Sequence, residues 1–246
     1  MFSAFLKSLG SAYHPHAEAP KTATHSTFDR RTRTTSTASA TAADTDTQSF
    51  SQVAVDTRKA LDAGYRKLGK AADAGTTDQD WHGTIRIQKL DRRALYAITT
   101  NHGGLFSAAE VKAAQSEVAA IESRASHAAN PRGTDAAAAA KATITVLDGA
   151  GPEEKASLEW AQKRAAAQVR YQAVAKERHQ GRAALSVETG DPVVNRFVKA
   201  WGELEKAEAY AEDPKSIRIG DMPSWSKAIA LWKSLQEPHT KVLGRL

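Results

Sequence analysis

The stretch "TTNHGGLFSAAEV", Thr99 to Val111, decides how the first half of this chain folds, because it separates two segments with helical spacing of apolar residues. Gly103 and Gly104 tolerate left-handed backbone conformations that other residues avoid, so the chain can turn sharply there. Ser107 and Glu110 have the spacing of a capping box, in which each side chain satisfies a free amide group at the start of a helix. The stretch therefore predicts a corner between two helices.

The corner also has the frame of a calcium-binding loop. When Gly104 is aligned with the sharp-turn glycine of that loop, residues 91–121 resemble an EF-hand helix-loop-helix, and the resemblance covers only this part of the chain. It implies five candidate metal ligands: Thr99, Asn101, Gly103, Leu105 and Glu110. Only Glu110 among them carries a charge, whereas calcium affinity depends on the number of charged ligands. We expect a structural corner with no cofactor, and weak calcium binding is the alternative.

The composition favours an all-helical protein. Hydrophobic residues make up 41% of the 246 residues and aromatic residues only 7%, so the apolar content depends on alanine, which suits closely packed helices. The chain has no cysteine, which excludes disulfides, thiolate zinc sites and cysteine nucleophiles. No stretch approaches the roughly 18 consecutive apolar residues of a membrane helix. We therefore expect no integral membrane association.

Residues 1–49 have the composition of a disordered leader. Serine, threonine and alanine dominate after Gly10, and such a segment cannot bury enough apolar surface to offset its chain entropy. Its first residues would form one apolar stripe if helical, and this stripe is a candidate partner-binding surface: Phe2, Phe5, Leu6 and Leu9. Three interpretations remain for the leader, namely an ordinary tail, a transit peptide, or the unfolded secretion signal of an exported bacterial effector.

The body of the chain reads as a series of helices. Apolar periodicity, capping residues and turn residues predict helices over 51–72, 107–127, 134–146, 152–181, 192–212 and 223–236. The segment "WHGTIRIQKL", 81–90, suits either a short strand or the lead-in to a helix beginning near Asp91, and we favour the lead-in. "ANPRGT" is a hinge between residues 50–130 and 131–246, which form either two domains or one.

The predicted fold is therefore mostly α. It is an irregular helical domain with a degenerate EF-hand-like helix-loop-helix, preceded by a disordered N-terminal leader.

The charge pattern supplies one weak nucleic-acid candidate. The formal net charge is +6, and the densest basic cluster consists of Arg86, Lys89, Arg92 and Arg93. These side chains could contact phosphates, but the region matches no known reading helix or aromatic stacking platform. We expect Arg92 and Arg93 to lie on the outer face of their helix.

The last helix supplies a second candidate surface. Trp225, Ile229 and Trp232 would line one face of it, and that face either closes the core or contacts a partner.

Catalytic signatures are missing from the sequence. It contains no metalloprotease histidine pair, nucleophile elbow, phosphate-binding glycine loop or dinucleotide fingerprint. We expect a non-enzymatic helical interaction or regulatory protein with a protein partner in the cytoplasm. The alternatives are an exported bacterial effector and, third, a weak nucleic-acid binder.

Overall fold

A computed structural model of the chain describes residues 48–70, 75–178 and 186–237. These residues are mostly helical, as predicted, and no strand occurs among them. The α-helices are α1 (Phe50–Leu68), α2 (Arg92–Thr99), α3 (Ala108–Ala129), α4 (Ala136–Asp148), α5 (Pro152–Lys155), α6 (Leu158–Arg178), α7 (Pro192–Tyr210) and α8 (Pro223–Gln236). Shorter segments are a π-helix at Asp80–Ile85 and 3₁₀ turns at Ile87–Lys89, His102–Gly104, Pro214–Ser216 and Ile219–Asp221.

The leader stripe of Phe2, Phe5, Leu6 and Leu9 lies outside the described residues. All described residues except Gln48 belong to a compact unit that begins at Ser49. None of the helices in this described part of the chain is long and apolar enough to cross a membrane.

The first helix begins and ends at identifiable caps. The Ser49 hydroxyl accepts a hydrogen bond from the Gln52 amide at 3.2 Å, which satisfies one free donor of the first turn. Gly69 has a φ of 66°, and this left-handed conformation ends α1. The helix therefore stops at Leu68 and does not extend to residue 72 as predicted.

Residues 81–90 follow the lead-in interpretation. The π-helix and the 3₁₀ turn meet at Arg86, which has a φ of 61°. Ile85 and Ile87 are both buried, because the left-handed residue between them redirects the chain. The strand alternative is wrong, since the alternation of these isoleucines arises from this irregular turn and not from a pleated backbone.

Two hydrophobic clusters form the core of the described residues. The first joins α1, the π-helix, α2 and the corner through buried residues that include Leu61, Tyr65, Leu95, Ile98 and Phe106. The second joins α4, α6, α7 and α8 through Ile144, Leu147, Trp160, Phe197 and Ala228, among others. Helix α4 begins at Ala136, two residues after the start of the predicted 134–146 helix, because Asp135 is its N-cap and accepts the Ala138 amide at 2.9 Å.

The predicted helix over residues 152–181 is broken in two. Helix α5 covers only Pro152–Lys155, and α6 starts at Leu158. The Ser157 hydroxyl accepts a hydrogen bond from the Trp160 amide at 3.1 Å, so serine starts a new helix where continuous periodicity predicted none. The predicted end at residue 181 falls in a segment, 179–185, outside the described residues.

Candidate functional site

The corner between α2 and α3 contains three residues with a left-handed backbone conformation. Asn101 has a φ of 46°, and Gly103 and Gly104 have φ values of 69° and 68°. The Asn101 side-chain oxygen accepts a hydrogen bond from the Phe106 amide at 2.8 Å, which closes the loop on itself. Phe106 is buried in the first cluster, so the loop is anchored to the core at this ring.

The capping box at the start of α3 is confirmed. The Ser107 hydroxyl accepts from the Glu110 amide at 3.3 Å, and Glu110 Oε2 accepts from the Ser107 amide at 2.7 Å. Glu110 has no solvent-exposed surface. The carboxylate therefore lies inside the protein, where a charge without partners would be very costly.

Arg58 of α1 supplies the positive charge that the buried carboxylate needs. Its Nη1 atom donates to both oxygens of Glu110, at 2.8 and 2.9 Å, and reaches the Leu105 carbonyl oxygen at 3.3 Å. Its Nε atom donates to Asp62 at 2.9 Å. The arginine side chain is 18% exposed and Glu110 is fully buried, so this ion pair is largely shielded from solvent.

Two aromatic rings flank the Arg58 guanidinium. The ring centroids of Tyr65 and Phe106 each lie 5.9 Å from it, within the range of cation–π attraction. Burial, followed by the nearby Glu110 carboxylate, raises the pKa of Tyr65 well above its usual value. The phenol therefore stays neutral beside the ion pair.

Arg58 was not among the site residues expected from the sequence. A signal for it exists: Arg58 precedes Leu61 by three residues and Tyr65 by seven, so it borders the apolar stripe of α1. A charged residue at such a position predicts a buried partner, but the partner is 52 residues away in the chain and leaves no local trace.

The other expected calcium ligands make different contacts. The Thr99 hydroxyl donates to the Tyr96 carbonyl at 2.9 Å, and Asn101 binds the Phe106 amide. Among the residues that the structure describes, no group of three or more His, Asp or Glu side chains has the geometry of a metal site. Weak calcium binding at Thr99, Asn101, Gly103, Leu105 and Glu110 stays an untested prediction.

The expected position of Arg92 and Arg93 is wrong. Arg92 Nε and Nη2 donate to the two oxygens of Glu154 at 2.8 and 2.7 Å, and Arg93 pairs in the same way with Glu153. The arginine side chains are only 13% and 11% exposed. Both bind α5, because the chain folds that short helix back onto α2.

The remaining basic candidates are Arg86 and Lys89, and both are exposed. Neither has an ion pair with another described residue. The structure thus separates the basic cluster into two side chains committed to carboxylates and two that face solvent.

The apolar face of α8 closes the second cluster. Trp225, Ile229 and Trp232 are half-buried against it, and the rings of Trp225 and Phe197 lie 4.6 Å apart. The Trp232 indole donates to the Ala156 carbonyl at 2.8 Å, at the break between α5 and α6. Of the two roles expected for this face, closing the core is the one these contacts fill.

The start of α8 is held by a glutamate of α7. Glu203 accepts from the amide and the hydroxyl of Ser224, at 2.9 and 2.6 Å. These hydrogen bonds hold the pKa of Glu203 below its usual value. Glu203 therefore caps the last helix from the neighbouring helix α7.

In comparisons with known proteins, no family model, no curated protein and no solved structure matches this chain.

Proposed function

We propose that this chain is a non-enzymatic helical interaction or regulatory protein that binds a protein partner in the cytoplasm. The observation that carries the proposal is Leu235, a large apolar side chain near the end of α8 that is 59% exposed. Leu235 follows the buried Ala228 by seven residues, so both lie on the same face of the helix. The apolar stripe of α8 thus continues beyond the core that it closes.

The neighbours of Leu235 make this end of α8 a small apolar edge. Leu231 and Trp232, one turn before it, are packed against the second cluster but only partly buried. Partly covered tryptophan and leucine side chains beside an exposed leucine are a composition that favours protein association. A partner with an exposed apolar segment would complement this edge.

Site-specific photo-crosslinking tests this proposal. A photoreactive residue replaces Leu235 in one variant and Ala230 in a control variant, since Ala230 is exposed on the opposite face of α8. We expect a partner protein to crosslink at 235 and not at 230. The purified partner should then bind the intact chain, and Leu235→Asp should weaken that binding by about tenfold or more. Equal crosslinking at both positions, or purified binding that ignores Leu235→Asp, contradicts the proposal.

For the corner, we propose that residues 91–121 keep the EF-hand frame as a structural turn. The support is the capping box and the anchored Phe106 ring, which together account for the loop conformation. No cofactor is required for either contact. Unchanged melting in the presence of calcium is the expected result for the unmodified protein.

The alternatives remain as proposals with their own tests. If the chain is an exported effector, residues 1–50 should direct the secretion of a reporter protein fused to them. A weak nucleic-acid binder would show salt-dependent retention of DNA or RNA that is lost when Arg86 and Lys89 are replaced. Of the four basic residues in this cluster, Arg86 and Lys89 are the exposed ones available to phosphates, because Arg92 and Arg93 already pair with carboxylates.

A further inference from the structure

Four oxygen atoms contact the Arg58 guanidinium at the corner. Glu110 contributes both carboxylate oxygens, Leu105 its backbone carbonyl and Asp62 one carboxylate oxygen, all within 3.3 Å of the guanidinium nitrogens. In the EF-hand frame, Leu105 is the position that binds calcium through its carbonyl and Glu110 is the position that binds through both carboxylate oxygens. One nitrogen of Arg58, Nη1, contacts both of these positions.

We propose that the corner is a cation site whose cation belongs to the protein itself. The Arg58 guanidinium takes the place of the metal ion, and removing it converts the corner into a site for calcium. The proposal concerns the helix corner alone and does not depend on the interaction role of α8.

The charges at the site support this assignment. Glu110 and Asp62 together carry two negative charges, which the doubly charged calcium ion balances. Calcium takes six to eight oxygen ligands, and water can supply those that the protein does not. The Asp62 side chain is 44% exposed, so water has a route to the site from that side.

The arrangement also differs from an ordinary surface ion pair. Glu110 is fully buried and Arg58 reaches it from another helix, so the guanidinium joins α1, the loop and the start of α3. An EF-hand ion likewise joins the loop to the exiting helix through the last glutamate. A tethered cation keeps these elements together at any calcium concentration, which makes the corner insensitive to calcium in the unmodified chain.

The test is thermal melting of the full chain with and without about 10 mM calcium chloride. A weak calcium site has a Kd of roughly 1 mM, so this concentration is about ten times the Kd. The key variant is Arg58→Met, which keeps an apolar stem of similar length but has no charge. Lys59→Met is the matched control, because it removes one positive charge from the next residue of α1, whose side chain is 68% exposed. Sodium chloride at equal ionic strength accompanies every calcium measurement.

We expect calcium to raise the Tm of Arg58→Met by about 3 °C, while the unmodified chain and Lys59→Met do not respond. Adding Glu110→Gln to Arg58→Met should abolish the response. If Arg58→Met does not melt cooperatively, recovery of helicity on calcium addition, read by circular dichroism at low temperature, replaces Tm. The proposal is overturned if calcium leaves Arg58→Met unchanged, if the unmodified chain responds equally, or if the response survives Glu110→Gln.

Discussion

Each hydrophobic cluster of the described chain borders an arginine paired with a carboxylate, and the two ion pairs differ in which partner is fully buried. At the corner, the carboxylate of Glu110 is fully buried and Arg58 is 18% exposed. In the second cluster, Arg164 is 2% exposed and its partner, Asp148, is 49% exposed. The first ion pair therefore shields an anion, and the second shields a cation.

The two buried charges also differ in the hydrogen bonds they make besides their ion pairs. Besides Asp148, Arg164 donates to the side chain of Gln168 at 3.1 Å and to the Val187 carbonyl at 2.8 Å. Glu110 keeps the Ser107 amide as a donor when Arg58 is removed. A buried charge that retains several hydrogen bonds loses less when one partner is replaced. The stability of each site therefore depends on which hydrogen-bond partners remain around the buried group.

The largest expected effect is the loss of Arg58. Arg58→Met should lower the free energy of unfolding by about 3–5 kcal/mol, because it leaves a buried carboxylate without its counter-charge. Asp148→Asn should cost about 2 kcal/mol, since asparagine still offers an oxygen and Arg164 keeps its other acceptors. Urea unfolding of both variants measures the difference. Equal costs would show that the partners remaining at the two sites do not matter.

Phe106 should give the next largest effect. The ring is 5% exposed within the first cluster, so Phe106→Ala should cost about 3 kcal/mol or more. Leu105→Ala is the control, because the neighbouring leucine is 36% exposed and should cost far less. Chemical denaturation compares the two. Similar losses would mean that the loop is not anchored through the phenyl ring.

A smaller, pH-dependent loss of stability should follow when the ion pair between α2 and α5 is removed. The hydrogen bond from Arg93 holds the pKa of Glu153 below its usual value. Because the folded-state pKa is the lower one, the stabilisation is present above the unfolded pKa and is lost as pH falls through the folded pKa. Glu153→Gln should therefore destabilise the protein at neutral pH and converge with the unmodified chain in acid. Thermal melts of both proteins from neutral to acidic pH measure this convergence. A difference in Tm that stays constant with pH would contradict the prediction.

The smallest effect should come from the exposed basic pair. Replacing Arg86 and Lys89 by alanine should change stability by about 0.5 kcal/mol or less, as is usual for exposed side chains. Replacing Arg92 and Arg93 should cost clearly more, since both form two-pronged pairs with glutamates of α5. Thermal melts of the two double variants measure this contrast. Equal effects would show that the α2–α5 ion pairs contribute nothing to the fold.

Local features of the fold were predictable from the sequence. The capping box joins Ser107 and Glu110 across three residues, and the start of α2 at Asp91 uses a cap of the same span. Gly103 and Gly104 adopt the left-handed conformations predicted for the corner, whereas Gly69 ends α1 before the predicted helix end at residue 72. The start of α6 at Ser157 shows the limit of such local signals, because uninterrupted helical periodicity hid a serine cap.

The sequence by itself determined that the chain is mostly helical and that a corner follows Thr99, because caps, turns and helical spacing involve residues within a few positions of one another. Only the tertiary structure decided which charges are buried and paired. Arg58 meets Glu110 across 52 residues, and Arg92 meets Glu154 across 62. Such pairs depend on how whole helices pack, and helix packing leaves no short-range pattern in the chain. Whether an arginine is a solvated surface group or a buried counter-ion therefore depends on which helix packs against it.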